Sequence, residues 1–526
     1  MNLGRQNSAE RVATGSAFGL SVKINLDGAA SFKNKTADEL LNDLFEPFQQ
    51  GASEKPRIHL VAVNDGRLLL WAEDYEAKHG DTPLTNWVIE TLIGEDAPDV
   101  PMSHIRLVNL NERSLVGDAR ELPISEESKT SWRPSTEFFN SLLDRMLGGE
   151  QTSKVWEPCR SCSAAPRCTA FNSVRALTGS GVDDLDVAVN IRNQLAEALQ
   201  AVHQRGQVHI TTRELRGALS YIFFGVHYCD DLHSQPDLQP IHYWDRAFAA
   251  DSPMRQGELL SELQRLDPAY GSNPTVDRYL RSHDPVVAPQ NPSKFTSEKS
   301  LISKRRRAYF EWLESQAKQI THEPHPVSLF QSESLRRFRE VAILSEEERR
   351  TLIKRLCYGI SRLEQLPHRV LRREGVVPLK VMPRTPVETT FWVEKPLERF
   401  QLELDETGKS GGVEWLANGV VLRYSYRKDG RQEELRLSSD LFGLLLELAD
   451  GYQIMDAAND EIFTNLSIFT QRLAQEDERE VFAWNPSKPS EVFRLGIRMS
   501  EGIQQMFFES CESNESFIGE YNVRKA

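Results

Sequence analysis

The chain has 526 residues, which is too long for a single hydrophobic core and predicts roughly two to four domains. Hydrophobic residues make up 39% and charged residues 27%, as in ordinary globular proteins, and no apolar run approaches the roughly 20 residues of a membrane span. The formal net charge of −14 argues against a protein that coats nucleic acid with its whole surface.

The first part of the chain has the alternating strand and helix pattern of an α/β domain. Residues 1–22 lack periodicity, which predicts a disordered or extended tail, and the α/β domain is expected to cover residues 23–150. Its elements are predicted to be a strand at 20–26, a helix at 36–49, a strand at 57–63, a helix at 84–92, a strand at 105–110 and a helix at 136–147. The short apolar runs are typical of buried parallel strands, so we expect a partial parallel sheet.

The middle of the chain is predicted to be helical. Residues 151–282 are expected to form one helical domain, with a helix that is N-capped by Thr212 and C-capped by Gly225. A stretch rich in Pro, Ser and Asn at 282–297 is typical of a linker or long loop. A second helical region, rich in basic residues, is predicted at 298–380.

The last part of the chain is predicted to be an α+β domain at 388–526. Residues 420–427 alternate as a strand, a tight turn is expected at 428–430, and 433–437 is the predicted return strand. The segment 440–508 is predicted to be mostly helical.

Three of the six cysteines, Cys159, Cys162 and Cys168, fall close together, and Cys229 follows one apolar helix later. Soft thiolates at this spacing are how a chain holds zinc or an iron–sulfur cluster, because a tight turn lets residues i and i+3 face one ion. Zinc is our first expectation and a [4Fe–4S] cluster is the alternative. A closed set of four thiolates has no open position for a substrate, so the metal is predicted to be structural.

The fourth ligand of this site has competing candidates. Cys229 is favoured because it follows the helix nearest to the cluster in sequence, while His227 and His233 stand on either side of it. Buried cysteines without a metal are the plain alternative. Residues 15–22 are a poor apolar core for a signal peptide, which predicts a cytoplasmic location and favours metal ligands over disulfides.

Polar and basic residues in two places suggest nucleotide contacts. Asn64 follows an apolar strand, and Arg213 and Arg216 lie on one predicted helix. Together with the cysteine-bearing helical region, this order resembles the sensor strand and lid helix of AAA+-type P-loop ATPases, over roughly residues 20–230. The block is similar to ATPase components of bacterial DNA-restriction and phage-defence systems, including those linked to phosphorothioate-modified DNA. The resemblance implies a P-loop-like sheet, a helical lid with a metal staple, and ATP contacts from these three side chains.

The phosphate-binding loop of that family does not precede the first strand. The Gly-Lys-Ser at Gly408 has Glu403 where the first glycine of a P-loop belongs, and glycines follow it in place of a helix. The resemblance therefore implies a protein partner that supplies the P-loop. Asp27, near the end of the first strand, is a weak candidate for a magnesium ligand. A turn-forming Asn-Asp-Gly at Asn64 and a solvated helix face at the two arginines are the plain alternatives.

Basic side chains cluster between residues 349 and 373, in a chain that is acidic overall. The predicted nucleic-acid contacts are Arg349, Arg350, Lys354 and Arg355. A shorter basic run stands at 304–307. Solvated helix faces or pairing with acidic residues of the same chain are the alternatives. Aromatic residues of the β-rich region have two possible roles as well. They could stack on nucleic-acid bases, or they could pack in a core or hairpin, which is the more frequent use: Trp392, Phe400, Trp415, Tyr424 and Tyr426.

Two functions follow from these observations. The first is an ATPase-like subunit of a bacterial DNA-related complex, dependent on a partner for its P-loop. The second is a non-enzymatic adaptor, stabilised by zinc, that binds nucleic acid or partner proteins. No complete catalytic motif stands in the chain, so the sequence leaves its status as an enzyme open.

Overall fold

The computed structural model describes residues 10–94, 102–123, 132–179, 185–235, 237, 241–248, 257–271, 274–282, 298–321, 333–364, 366–371, 373–381, 388–426, 430–452, 460–475, 480–487, 490–500, 503–511 and 516–520. The chain divides into two compact units, Met1–Val108 and Asn109–Ala526. An α/β mixture in the first part is followed by a helical part and by C-terminal sheets, as the sequence predicts at this coarse level.

The first unit is a small three-stranded sheet with helices. Its elements are β1 (Val12–Ala17), β2 (Leu20–Asn25), α1 (Ala37–Phe45), β3 (Arg57–Val61), α2 (Asp65–His79) and α3 (Pro83–Ile93). The sheet order is β1-β2-β3, with β1 and β2 antiparallel and β2 and β3 parallel. Strand β1 lies in the segment predicted to be a tail, so that tail is in part an ordered hairpin strand. Helix α2 is an element that the sequence interpretation missed.

One face of this sheet packs against helix α1. The ring Nδ1 of His59 lies 2.6 Å from the carbonyl oxygen of Leu44, and Val61 packs beside a core that includes Leu41 and Trp71. On the other face, Leu60 is 48% exposed. A sheet of parallel strands usually has both faces covered, whereas this mixed sheet leaves part of one face exposed.

The strand predicted at 105–110 is not formed, although these residues are described. Asn109 accepts a hydrogen bond from the backbone N–H of Asn111 at 3.0 Å and precedes a 3₁₀ turn, Leu110–Glu112. A local bond of this kind gives the backbone an alternative to pairing with a strand. The prediction of a second buried strand in the first domain is therefore wrong.

The second unit begins with a helical part. Its helices are α4 (Glu137–Met146), α5 (Thr152–Val155), α6 (Glu157–Arg160), α7 (Thr169–Thr178), α8 (Leu185–Arg205), α9 (Thr212–Phe224), α10 (Cys229–Ser234), α11 (Tyr243–Phe248), α12 (Gly257–Arg265), α13 (Pro274–Ser282), α14 (Glu298–Glu311) and α15 (Glu314–Thr321). Phe139, Leu199, Leu219 and Tyr309 share one buried core across these helices. The N-cap of α9 is Thr211, one residue before the predicted Thr212, because its hydroxyl pairs with Glu214 in a capping box. Most of the predicted linker, 283–297, lies outside the described residues.

The C-terminal part combines helices with two sheets. It contains α16 (Glu333–Glu340), α17 (Glu346–Leu363), α18 (His368–Leu371), β4 (Val376–Val381), β5 (Thr390–Pro396), β6 (Phe400–Leu404), β7 (Val420–Ser425), β8 (Gln432–Leu437), α19 (Ser439–Ala449), α20 (Asp460–Gln475), β9 (Glu480–Trp484), β10 (Val492–Ser500), β11 (Ile503–Ser510) and β12 (Ser516–Glu520). Strands β6, β7 and β8 form one antiparallel sheet, and the other is ordered β12-β11-β10-β9-β5-β4. The hairpin of β7 and β8 was predicted, while residues 428 and 429 of its turn lie outside the described residues.

The prediction that residues 440–508 are mostly helical is wrong in its second half. Helices α19 and α20 are formed, but β9, β10 and β11 follow them as antiparallel strands. The rings of Phe493 on β10 and Phe508 on β11 stack with their centroids 4.6 Å apart. Such cross-strand aromatic pairs stabilise a sheet through partners that are distant in sequence.

Helices α17 and α19 approach each other closely at Gly359. A Cβ atom at this position would lie 2.1 Å from the carbonyl oxygen of Leu445, so no side chain fits there. The crossing lies in the core that contains Leu356 and Phe442. Glycine is therefore required at this site for the two helix backbones to touch.

Within the part of the chain that the structure describes, no helix is both long and apolar enough to cross a membrane.

Candidate metal centre

The first three cysteines lie on consecutive tight turns. The backbone N–H of Cys162 donates to the carbonyl of Cys159 at 3.3 Å, that of Ala165 to Cys162 at 3.0 Å, and that of Cys168 to Ala165 at 3.2 Å. In tight turns of this kind, residues i and i+3 lie on the same side of the backbone. The arrangement is the turn that the Cys-x-x-Cys spacing predicts.

Cys168 is also the N-cap residue of α7. Its sulfur accepts a hydrogen bond from the backbone N–H of Phe171 at 3.4 Å. The sulfur is therefore held at the point where the segment of tight turns passes into a helix. Cys168 is a predicted metal ligand, and its capping role is a further feature that the spacing of the cysteines does not indicate.

The second segment of the centre is α10, which Arg167 fastens to the cysteine turns. The guanidinium of Arg167 donates to the carbonyl oxygens of Leu232 at 2.8 Å and of Gln235 at 3.2 Å. One arginine therefore ties the turn before Cys168 to the end of the helix that carries Cys229.

A buried arginine fixes the chain just before α10. Arg246 donates to the carbonyl oxygens of Ile222 at 2.7 Å and Phe223 at 3.1 Å, at the C-terminus of α9. Burial lowers the pKa of Arg246 to about 10, so the side chain keeps its charge at neutral pH. Gly225 has a φ of +71°, and a Cβ there would lie 2.7 Å from the Arg246 guanidinium, so both features require glycine.

The four predicted thiols influence one another. Burial raises the pKa of Cys159, and the charges of Cys168, Cys229 and Cys162 raise it further. The Sγ of Cys162 also lies 3.4 Å from the Nε2 of His233. Among the described residues, however, no three His, Cys, Asp or Glu side chains already stand in the arrangement of a metal-ligand set. Ionised thiolates repel one another, and a bound ion would draw such ligands together.

These residues have the donor chemistry of a zinc or iron–sulfur site. The thiols of Cys159, Cys162 and Cys168 are partly buried and that of Cys229 is exposed, and all four are free cysteines. Thiolate and imidazole donors suit zinc, and thiolates alone suit an iron–sulfur cluster. Both metals therefore remain predictions for this centre.

The predicted nucleotide contacts have other local surroundings. The side-chain oxygen of Asn64 accepts from the backbone N–H of Arg67 at 2.7 Å and thereby N-caps α2. Arg213 and Arg216 are exposed on α9. Asn64 belongs to the first compact unit and the two arginines belong to the second. Their roles in nucleotide binding stay a prediction.

Asp27 and Gly408, which were also considered for nucleotide or magnesium binding, make contacts with residues of their own surroundings. Asp27 lies 3.9 Å from Arg11 and accepts from the backbone N–H of Ala29 at 3.1 Å. Gly408 has a φ of +78° and precedes a 3₁₀ turn, and Lys409 forms an ion pair with Glu406. The Gly-Lys-Ser sequence is thus a surface turn, as its surroundings in the sequence indicate.

Two of the four predicted nucleic-acid contacts are used inside the protein. Arg349 donates to the carbonyl oxygens of Leu402 at 2.8 Å and Val341 at 3.4 Å, and Arg355 pairs with Asp450 at 2.9 Å. Arg350 forms an exposed pair with Glu346 at 3.2 Å, and Lys354 is exposed. Only Arg350 and Lys354 therefore present their charge mainly to solvent.

Arg349 and Lys354 should therefore differ in how much they contribute to the free energy of unfolding. We expect Arg349→Ala to lower the free energy of unfolding by about 1–3 kcal/mol, because the carbonyl of Leu402 loses its partner. Lys354→Ala is expected to change it by less than about 0.5 kcal/mol. Urea unfolding of the two variants measures both values, and equal effects would contradict the structural role of Arg349.

The aromatic residues considered for base stacking are all buried. Trp392, Phe400, Trp415, Tyr424 and Tyr426 are between 0% and 8% exposed. Their rings pack in cores, and a base could not stack on them without unfolding the surrounding strands.

A cavity that the sequence did not indicate lies within the second unit. It has a volume of about 470 Å³, and its walls include His203, His209, Asp405, Trp415 and Arg436. The Nε2–H of His203 donates to the carbonyl of Leu416 at 2.9 Å and joins α8 to the loop between β6 and β7. These residues come from segments far apart in sequence, so no local pattern could have revealed the cavity.

The His203 contact predicts a pH dependence of stability. Burial lowers the pKa of His203, although the bond to Leu416 opposes this, and the charge of His209 lowers it further. Unfolded histidine has a pKa of about 6.5, so the unfolded chain binds more protons below that pH and stability falls as the pH decreases. We expect His203→Gln to show a smaller loss of melting temperature between pH 8 and pH 5 than the parent protein. The variant must be compared with the parent protein because His59 and His242 also contribute to the pH dependence, since burial lowers their pKa values too.

The control is His79→Gln, since His79 is exposed. That variant should keep the full loss of melting temperature. An unchanged loss in His203→Gln would exclude His203 as a source of the pH dependence.

Comparisons with protein-family models, with curated proteins and with solved structures gave no match. The conclusions about function therefore rest on the side chains and contacts described above.

Proposed function

We propose that this protein is a non-enzymatic adaptor whose helical part is held together by a structural zinc ion. The observation that carries the proposal is the junction between the cysteine turns and α10. Arg167 already fastens these two segments through two backbone carbonyls, and the Sγ of Cys162 on one segment lies 3.4 Å from the Nε2 of His233 on the other. Zinc there would add a cross-link between residues about 70 positions apart, which is how structural zinc stabilises a fold.

The wider setting of the proposal comes from the resemblance to components of DNA-restriction and phage-defence systems. An adaptor in such a complex would bind a protein partner or DNA. Arg350 and Lys354 are the basic side chains of α17 that face solvent and suit a phosphate backbone. Their contribution would be electrostatic and would fall with rising salt.

A partner-dependent ATPase is the second candidate. It is favoured by one observation, the β2-α1-β3 unit with parallel strands, after which Asn64 begins α2. In P-loop proteins, ligand contacts lie at the carboxyl ends of such strands. The missing phosphate loop would then have to come from another polypeptide.

Calorimetric titration of the purified chain with ATP and magnesium separates the two candidates. The adaptor proposal expects no saturable binding. Binding that disappears in the double variant Arg213→Ala, Arg216→Ala would favour the ATPase instead. A double variant Arg281→Ala, Arg175→Ala changes the charge equally and serves as the control.

Two further measurements test the adaptor itself. Elemental analysis of the purified protein should find about one zinc per chain, and a protein with neither zinc nor iron would contradict the metal staple. Fluorescence anisotropy with a labelled DNA duplex at low salt tests the nucleic-acid contact. Arg350→Glu with Lys354→Glu should abolish any binding, and retained binding would remove α17 as its site.

A further inference from the structure

We infer that His233 is a direct zinc ligand, and that it completes the set with Cys159, Cys162 and Cys168 while Cys229 remains a free thiol. The inference rests on the proposed metal centre and specifies its ligands. It replaces the four-thiolate set that the sequence favours with a set of three thiolates and one imidazole.

The distance between Cys162 and His233 supports this ligand set. Zinc binds cysteine sulfur at about 2.3 Å and histidine nitrogen at about 2.0–2.1 Å, with tetrahedral angles. Two such ligands on one ion are therefore separated by about 3.5 Å. The Sγ of Cys162 and the Nε2 of His233 are 3.4 Å apart. This pair already has the spacing of one edge of a zinc tetrahedron.

The contacts of α10 hold the imidazole in place. The helix begins at Cys229, where the backbone N–H of Tyr228 donates to Asp231 at 2.8 Å, and His233 lies in its last turn. Arg167 binds the carbonyl of Leu232, the residue directly before His233, at 2.8 Å. The position of His233 against the cysteine turns is thus fixed by contacts that do not involve a metal.

The other candidate ligands are placed differently. His227 precedes α10 and so lies outside the helix that Arg167 fastens. Cys229 is the first residue of α10, at the opposite end of that helix from the Leu232 carbonyl that Arg167 binds. A tetrahedral zinc site takes only four ligands, so Cys229 is left free when His233 and the three clustered cysteines bind the ion.

A competing explanation of the 3.4 Å distance is a hydrogen bond from the imidazole N–H to a Cys162 thiolate. In that case His233 would orient a ligand of a four-cysteine site without touching the metal. The two explanations differ in what happens when His233 or Cys229 is removed.

The experiment compares His233→Ala, His233→Cys, Cys229→Ser and the matched control His227→Ala in the full chain. Zinc affinity is measured by competition with a chelator, and the ligand set by the absorption of the cobalt-substituted protein. We expect His233→Ala to weaken zinc binding more than about 100-fold, since loss of a ligand exceeds the effect of losing an outer-shell contact. Cys229→Ser and His227→Ala should bind zinc as the parent does.

His233→Cys is the rescue variant. It should restore tight binding and raise the thiolate-to-cobalt absorption by about one third, as a fourth sulfur joins three. Tight binding in His233→Ala together with its loss in Cys229→Ser would overturn the inference in favour of four thiolates. Absence of metal from the parent protein would contradict the proposed metal centre itself, which is a different result.

Discussion

Cys162→Ser should remove the bound metal and release the junction between the cysteine turns and α10. Serine keeps the size of the side chain but not the thiolate, and structural zinc sites contribute their binding energy to folding. The loss is expected to exceed the roughly 1 kcal/mol of a typical substitution. Hydrogen exchange should show it as faster exchange at 156–168 and 228–235, with little change in the C-terminal sheets.

Cys511→Ser is the matched control, because Cys511 is an exposed thiol outside the cluster. It should leave both metal content and exchange unchanged. A Cys162→Ser protein that keeps its zinc and its protection at 156–168 would contradict the staple.

Arg306→Met is the second variant with a large expected effect. The guanidinium of Arg306 lies 2.6 Å from Asp267, whose side chain is 0% exposed, and 3.2 Å from Asp245. Burial would lower the pKa of Arg306, but the hydrogen bonds and charges of the two aspartates raise it. Removing one partner of a buried ion pair costs about 3–5 kcal/mol, since the remaining charge is uncompensated. Thermal and urea unfolding should detect a loss of this size.

A second substitution tests the reason for that loss. Asp267→Asn added to Arg306→Met removes one buried negative charge and should recover part of the stability. Arg350→Ala is the control, because its pair with Glu346 is exposed and worth less than about 1 kcal/mol. A change below about 1 kcal/mol in Arg306→Met would show that the network is not needed for the fold.

The same network explains the outcome for the basic run at 304–307. Lys304 donates to the carbonyl of Leu280 at 3.1 Å, Arg305 to Asp277 at 2.7 Å, and Arg307 to Glu311 at 2.7 Å. Lys304 and Arg305 thus hold α14 against its neighbours, while Arg307 pairs within α14, which agrees with the alternative of pairing inside the chain. The sequence shows that a basic run exists, but the partners of Lys304 and Arg305 come from segments that only the fold brings together.

Local signals were predicted more reliably than long-range ones. Helix α1 begins after Thr36, whose capping box with Glu39 is visible in the sequence, and α9 ends at Gly225 as predicted. Strands β9 to β11 were missed because their stability comes from pairing between strands, and short apolar runs resemble buried helix segments.

The candidate site shows the same difference between local features, which the sequence predicts, and long-range contacts, which it does not. The Cys-x-x-Cys spacing locates three thiols, because a turn is a local structure. The spacing cannot show that Arg167 joins these turns to α10. It also cannot show that the Sγ of Cys162 and the Nε2 of His233 lie 3.4 Å apart, which leaves no room for a water molecule between them. Those contacts depend on how α9 and α11 pack, which involves residues from 222 to 246.

The contact between α17 and α19 limits which sequences this domain can accept. The Leu445 carbonyl occupies the space that any Cβ at residue 359 would need, so a library of all twenty amino acids at that codon should yield functional clones with glycine alone. Neighbouring buried positions such as Ile360 have no such restriction and can exchange with other apolar residues at modest cost. Evolutionary drift in this pair of helices is therefore confined to side chains around a fixed point where the two backbones meet.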